Sequence, residues 1–138
     1  MNDNRDIYKS AGIIIRSRRL LVEKDVDKEY FISPGGKIEQ GETPEEALIR
    51  ELDEEFHIKV KEEDLEEFGH FHAPASGQEE RTVHMNVFLV KKHLGKISHG
   101  YKVEKILWLS SKVPKEIKVG SIFEHEVIPR LKKLNLID

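Results

Sequence analysis

Cysteine is absent from this chain. That one absence excludes a disulfide framework, a thiolate metal site and a thiol nucleophile. Long apolar runs are missing too. The longest early one, Ala11 to Ile15, is too short for the core of a signal peptide or for a membrane span, so a cytoplasmic location is expected. Basic charge is not in excess: 23 Lys and Arg stand against 26 Asp and Glu, a net charge of −3, which offers no broad surface to nucleic acid. Neither an internal repeat nor a linker breaks the sequence. At 138 residues, 38% hydrophobic and 36% charged, it is expected to form one globular domain over residues 1–138.

Against those absences stands one dense segment. Gly35-Gly36-Lys37 opens it, and Arg50-Glu51-Leu52-Asp53-Glu54-Glu55 closes it. Thr43-Pro44-Glu45-Glu46 reads as a helix start: the Thr43 hydroxyl can accept from the Glu46 N–H, Glu46 can reach back, and Pro44 loses no needed hydrogen bond at the first helical position. On the helix that follows, Leu48, Ile49, Leu52 and Phe56 fall on one arc, and Glu51, Glu54 and Glu55 fall on a neighbouring one. Like charges at this spacing cost a few tenths of a kcal/mol per pair on an exposed helix, and more in a cleft. A hard divalent cation reverses that sign, because Mg²⁺ binds carboxylate oxygens and completes its shell with water and substrate phosphates. A solvated acidic face is the plain alternative, but the adjoining Gly-rich loop favours metal-dependent chemistry on a phosphate compound.

The order Gly36, five residues, Glu42, seven residues, Arg-Glu-Leu-Asp-Glu-Glu, then Phe56-His57-Ile58 resembles the Nudix box over residues 36–58. One fixed position differs: His57 stands where that family has Gly. The family Gly ends the helix in a left-handed conformation, and His is among the residues enriched there, so a capped helix and an intact acid cluster are expected.

The resemblance implies a pyrophosphohydrolase with Mg²⁺ or Mn²⁺ held by Glu51, Glu54, Glu55 and the Gly35 carbonyl, one of the acids activating water. Arg50 would orient an acid, Glu42 would brace the loop, and Lys37 would face a phosphate. Many family members recruit a further acid from a later loop. Glu104 is the only acid between Lys91 and Ser111, with Glu79 and Glu80 as competitors. The implied substrate is a nucleoside triphosphate or a related nucleoside diphosphate derivative, with a nucleotide sugar or dinucleoside polyphosphate as the alternative. A ligand-binding module without turnover would be signalled by missing box acids, and none is missing. Isopentenyl diphosphate isomerases of this fold rely on a Cys that this chain lacks. The expected partner is a small-molecule nucleotide, with no nucleic acid or membrane, and a homodimer is the candidate assembly.

The remaining pattern fits an α/β (α+β) Nudix fold, a mixed sheet between helices. Strands are expected at Ser10–Arg16, Arg19–Glu23 across a Ser17-Arg18 turn, Tyr30–Ile32, Leu65–His72, Arg81–Lys92 and Ile106–Leu109. A loop is expected at Ala73–Gly77, and a helix at Ile122–Leu134 capped by Ser121 and kinked or delayed by Pro129. His70, His72, His84 and Asn86 are candidates to face the substrate, and Trp108 to stack a base or fill the core. MutT-type members read the base with an Asn before the last helix, where a rough alignment gives Glu124. That difference argues against oxidised-guanine specificity.

Overall fold

A computed structural model describes residues 6–75 and 78–138, with Gln78 and Glu79 described by backbone alone. Strands β1 (Asp6–Ile13), β4 (Gly35–Lys37), β5 (Leu65–Ala75) and β6 (Gln78–Val90) form a four-stranded sheet in the order β4-β1-β6-β5. In it β1 and β6 run parallel while β1–β4 and β5–β6 are antiparallel, so the sheet is mixed. A second, antiparallel sheet has the order β2-β3-β7, from β2 (Ile15–Arg16), β3 (Arg19–Asp25) and β7 (Val103–Leu109).

Helix α1 spans Pro44–Phe56 and begins as its sequence requires. The Glu46 N–H donates to Thr43 Oγ1 at 3.1 Å, and the Thr43 N–H donates to Glu46 Oε1 at 2.9 Å. Its inner face buries Leu48, Leu52 and Phe56 against Ile14, Leu21, Phe88 and Val90. Each fully buried side chain of this kind contributes about 1.5–3 kcal/mol. A second core lies on the other face of the mixed sheet, where Ala11 and Val87 meet Leu20, Val22, Phe123, Val127 and Leu131. The sheets thus lie between α1 on one side and the C-terminal helical segment on the other.

That segment shows the effect of Pro129. Residues 123–127 form a wide π-helical turn, with the Ile128 N–H reaching Phe123 O, before the regular helix α2 (Ile128–Lys133). Proline cannot donate to the preceding turn and its ring crowds the carbonyl four residues back; a wider turn relieves both. Two expected boundaries shift. The run Ser10–Arg16 breaks at Ile14 into β1 and β2, and Tyr30–Ile32 contributes only isolated bridges, Phe31 to Val119 and Glu23 to Ile32. The expected loop at 73–77 is strand as far as Ala75; Ser76 and Gly77 lie outside the described residues. Among the described residues, no helix is long and apolar enough to cross a membrane.

Candidate active site

The Gly-rich loop is locked to the first strand before it meets the helix. The Gly12 N–H donates to Pro34 O at 2.8 Å, and the Ser33 hydroxyl donates to Gly12 O. Gly35 has φ 145°, and a Cβ there would lie 2.0 Å from Ser10 O. Gly36 is needed for a different reason: a Cβ would lie 2.6 Å from the Glu51 carboxyl carbon. Only a bare backbone lets the loop approach the acid helix this closely.

Arg50 organises half of the acids. Its Nε donates to Glu42 Oε2 at 2.6 Å and its second terminal nitrogen to Glu42 Oε1 at 3.0 Å, a two-point pair. The first terminal nitrogen reaches Glu51 Oε1 at 2.8 Å and Glu54 Oε1 at 3.1 Å, and the guanidinium also closes onto Lys37 O at 3.1 Å. Loop, brace and two helix acids are thereby held by one rigid fork. Arg50 holds Glu42 below its ordinary carboxylate range, whereas burial raises Glu51 against the opposing pull of Arg50.

Glu55 belongs to a different group. Its Oε1 accepts from the Gly35 N–H at 3.2 Å, and ligand atoms of Glu55, Glu23 and Asp25 all lie within 4.8 Å of one another. Glu23 is fully buried, and among the described residues its oxygens find no N–H or hydroxyl donor and face the Glu55 carboxyl. Burial, then the charges of Glu55 and Asp25, push its carboxyl up to about 10. Burial, then Glu51, push Glu55 up to about 7, and the two titrate as a pair. Orphaned buried carboxylate oxygens are costly by themselves. They form the donor set that a hard divalent cation prefers, so these residues fit Mg²⁺ or Mn²⁺.

Next to the acids lies a cavity of ≈170 Å³, bordered by the same Gly35 and Gly36. Its walls are mainly apolar, with Ala11, Val83 and Met85 on the sheet side and Ile122 and Phe123 opposite. Lys9 enters from β1; burial, Lys37 and Lys28 all lower its pKa.

A sequence profile described as the NUDIX domain matches residues 7–130. The chain belongs to the NUDIX domain family. Among curated proteins it is similar to an 8-oxo-dGTP diphosphatase of Haemophilus influenzae, 38% identical over 77 residues covering 52% of this chain and 57% of that one. It is also similar to an 8-oxo-dGTP diphosphatase of Proteus vulgaris, 35% identical over 65 residues covering 44% and 58%. The matches thus span less than two thirds of these relatives. Among solved structures, MutT from Aliivibrio salmonicida and Vibrio cholerae superposes with a TM-score of 0.72 at 26% identity, over 94% of this chain and 98% of that one. A MutT protein from Methanosarcina mazei Go1 superposes with a TM-score of 0.77 at 17% identity, over 98% and 99%, a likeness of fold.

In this Nudix chain Gly35 and the box residues Arg50, Glu51, Glu54 and Glu55 converge on the loop–helix junction. They divide into two groups: Glu51 and Glu54 on Arg50, and Glu55 with Glu23 and Asp25. Lys37 is exposed at the loop edge, across from Lys9 in the β1–β4 pairing. His57 caps α1 at φ 60°, ψ 32°, and its Nδ1 lies 2.9 Å from Ser98 Oγ, so its ring points away from the acids.

Other candidates lie elsewhere. Glu104 is ion-paired with Lys24 at 2.7 Å and stands outside the buried carboxylate group. Glu80 is exposed on β6, and the side chain of Glu79 is outside the described residues. His72, His84 and Asn86 do not line the cavity. They alternate with Val83 and Met85, which do, and so occupy the α1 side of the sheet. There the His84 ring stacks on Tyr8 at 4.8 Å and lies 6.3 Å from that of His72, while His70 pairs with Glu67. The cavity takes the apolar face of β6 instead, as small-molecule cavities commonly do. Trp108 packs with the α1 core beneath the Arg16 guanidinium, 4.6 Å from its ring centre. Glu124 is exposed beside His125 and does not line the cavity. Sequence reasoning missed Glu23, Asp25 and Lys9. A usable signal for Glu23 was an acid closing the apolar run Leu20-Leu21-Val22.

Proposed function

We propose that this protein hydrolyses a pyrophosphate linkage in a nucleoside triphosphate or a related nucleoside diphosphate derivative, by attack of water at phosphorus with a divalent cation present. The observation that carries this reading is the Glu23–Asp25–Glu55 group, with Glu23 buried and the other two half-buried, against Gly35 and beside a cavity that shares the same loop. Glu55, Glu51 and Glu54 would hold Mg²⁺ or Mn²⁺ with the Gly35 carbonyl, and Glu23 and Asp25 would close the buried side. When bound, such a cation polarises phosphoryl oxygens and offsets the charge of the polyphosphate.

The chain's own residues supply the rest. Arg50 orients Glu51 and Glu54 through contacts of 2.8 and 3.1 Å and offsets part of their charge as an anionic substrate approaches. A box carboxylate within hydrogen-bond reach takes the proton of the attacking water. Lys37, exposed at the mouth of the loop, meets a phosphate. No Ser, Cys or His of the box stands among the acids, so no covalent phosphoenzyme is expected.

The test is hydrolysis of a nucleotide panel with Mg²⁺ in ¹⁸O-labelled water. Nucleoside monophosphate plus pyrophosphate from a triphosphate, with label on a phosphoryl group, is the expected result. Stepwise release of orthophosphate would indicate an ordinary phosphatase. Label on a sugar carbon would overturn the chemistry, and inactivity across the panel would favour a binding module.

A further inference from the structure

We propose that Lys9 selects the base of the nucleotide by donating to a ring oxygen, so that the site takes an oxo-substituted base edge and disfavours the amino-substituted one. The proposal rests on the nucleotide reading above and deepens it.

The placement is geometric. The cavity and the acid group share Gly35 and Gly36, so a substrate with its phosphates at the acids presents its base to the cavity. Apolar walls suit a flat ring but cannot tell one base from another. Discrimination therefore falls to the polar side chains that line the cavity, and most are already engaged. Ser10 donates to Pro44 O at 2.7 Å on the opposite face of the strand, and Ser33 is bonded to Gly12 O. Lys9 and Ser121 remain, and among the described residues Lys9 is the one charged residue lining the cavity.

Lys9 has no ion-pair partner among the described residues, and its pairing neighbour across β1–β4 is another cation, Lys37. An ammonium has three donors and no acceptor. It is satisfied by O6 and N7 of an oxopurine or by the 4-oxo group of a pyrimidine, and it is opposed by the amino group that adenine or cytosine presents at the same ring position. A half-buried cation facing an N–H donor leaves both groups unpaired, and such mismatches discriminate more strongly than apolar contact does. The two lysines then divide the work: Lys9 faces the base, and the exposed Lys37 faces the phosphates.

Two matched pairs test this, since each exchanges oxo for amino at one ring position, with a proton added at the neighbouring ring nitrogen of the oxo member: dITP against dATP, and dUTP against dCTP. The kcat/KM of each is measured with Mg²⁺ for the unaltered protein, Lys9→Met and Lys9→Gln, with thermal midpoints as the check on folding. In whichever pair is turned over faster, the unaltered protein should favour the oxo member. Lys9→Met should lower kcat/KM for that member by roughly 10- to 100-fold, mainly through KM, and leave the amino member nearly unchanged. Lys9→Gln, which can both donate and accept, should accept both members. Equal losses on both members would assign Lys9 to the phosphates and overturn the proposal, as would no loss on either. Should Lys9→Met fail to fold, the Lys9→Gln ratio decides. Absence of turnover by the unaltered protein on all four nucleotides would defeat the nucleotide reading, and the proposal with it.

Discussion

Single residues set the spacing at this site, and Gly36 is the tightest case. Its missing Cβ leaves room for the Glu51 carboxyl, 2.6 Å from where that atom would stand. In Gly36→Ala the flexible end of Glu51 can swing aside, so the thermal midpoint should barely move. Turnover with Mg²⁺ should still fall by about tenfold or more, because Glu51 is displaced from Arg50. Normal turnover in this variant would show that the placement of Glu51 does not matter. His57 offers the opposite trade. Its left-handed backbone, at φ 60°, is relieved by Gly, but the contact to Ser98 is lost. His57→Gly should therefore stabilise by about 0.5–1 kcal/mol in a Ser98→Ala background and by less in the native one. Denaturant midpoints measure both, and destabilisation in the Ser98→Ala background would refute the strain account. The cap was legible because a fixed spacing left one odd residue at a helix end. Lys9 and Glu23 were not: one charge inside an ordinary strand carries no period, and its burial is decided by strands far away in sequence.

Elements bring the acids together, and here β3 matters as much as α1. Strand β3 carries Glu23 and Asp25 up to Glu55 on the helix, and the cost of that meeting depends on pH. In the unfolded chain a Glu carboxyl ionises near its ordinary value of 4.5; in the folded protein Glu55 is raised to about 7 and Glu23 to about 10. Below the lower value both states keep their protons and nothing is lost. Above it the unfolded chain ionises first, so the metal-free fold weakens progressively as pH climbs towards the raised values. Thermal midpoints in chelator should therefore fall between about pH 5 and pH 8.5, and Glu23→Gln should melt a few degrees higher at the upper end. Parallel curves for the two proteins would refute the buried-acid account. At this scale the sequence was informative wherever one face was apolar: α1 and its capping box, β3, and the alternation of β6 are all as the pattern implies. It could not say which face of β6 looks into the cavity, since both faces of a sheet between two helices are covered. Strand β4 was invisible as well. Gly35-Gly36-Lys37 has no strand propensity and is extended only because β1 pairs with it.

For the whole molecule, the proposed cation would be a structural partner of these acids. A ligand that binds only the folded state at a hundred times its Kd adds about 2.7 kcal/mol. For a chain of 138 residues that corresponds to a rise in thermal midpoint of roughly 10 °C. Saturating Mg²⁺ should produce a rise of that order and chelator should abolish it, with Glu55→Gln showing much less. An unchanged midpoint in the unaltered protein would mean that the acids do not hold the ion. The family and the layered architecture were readable from the box and the strand order. The long-range pairing was not, because the parallel match of β1 to β6 leaves no local signature.

That parallel match has a consequence in time. Every partner pair between β1 and β6, from Asp6 with Thr82 to Ile13 with Leu89, is 76 positions apart. At about 5–20 residues per second, a chain being synthesised would wait roughly 4–15 s between making the two. For the last part of that interval α1 has been made, but Phe88 and Val90, which cover Leu48, Leu52 and Phe56, have not. All three members of the buried acid group, by contrast, lie within the first 56 residues. The acids are thus made before the core that holds them in place, and the proposed cation site would close only at a late step. Mg²⁺ should accordingly slow unfolding and leave the refolding rate nearly unchanged, a separation that stopped-flow measurements in Mg²⁺ and in chelator would resolve.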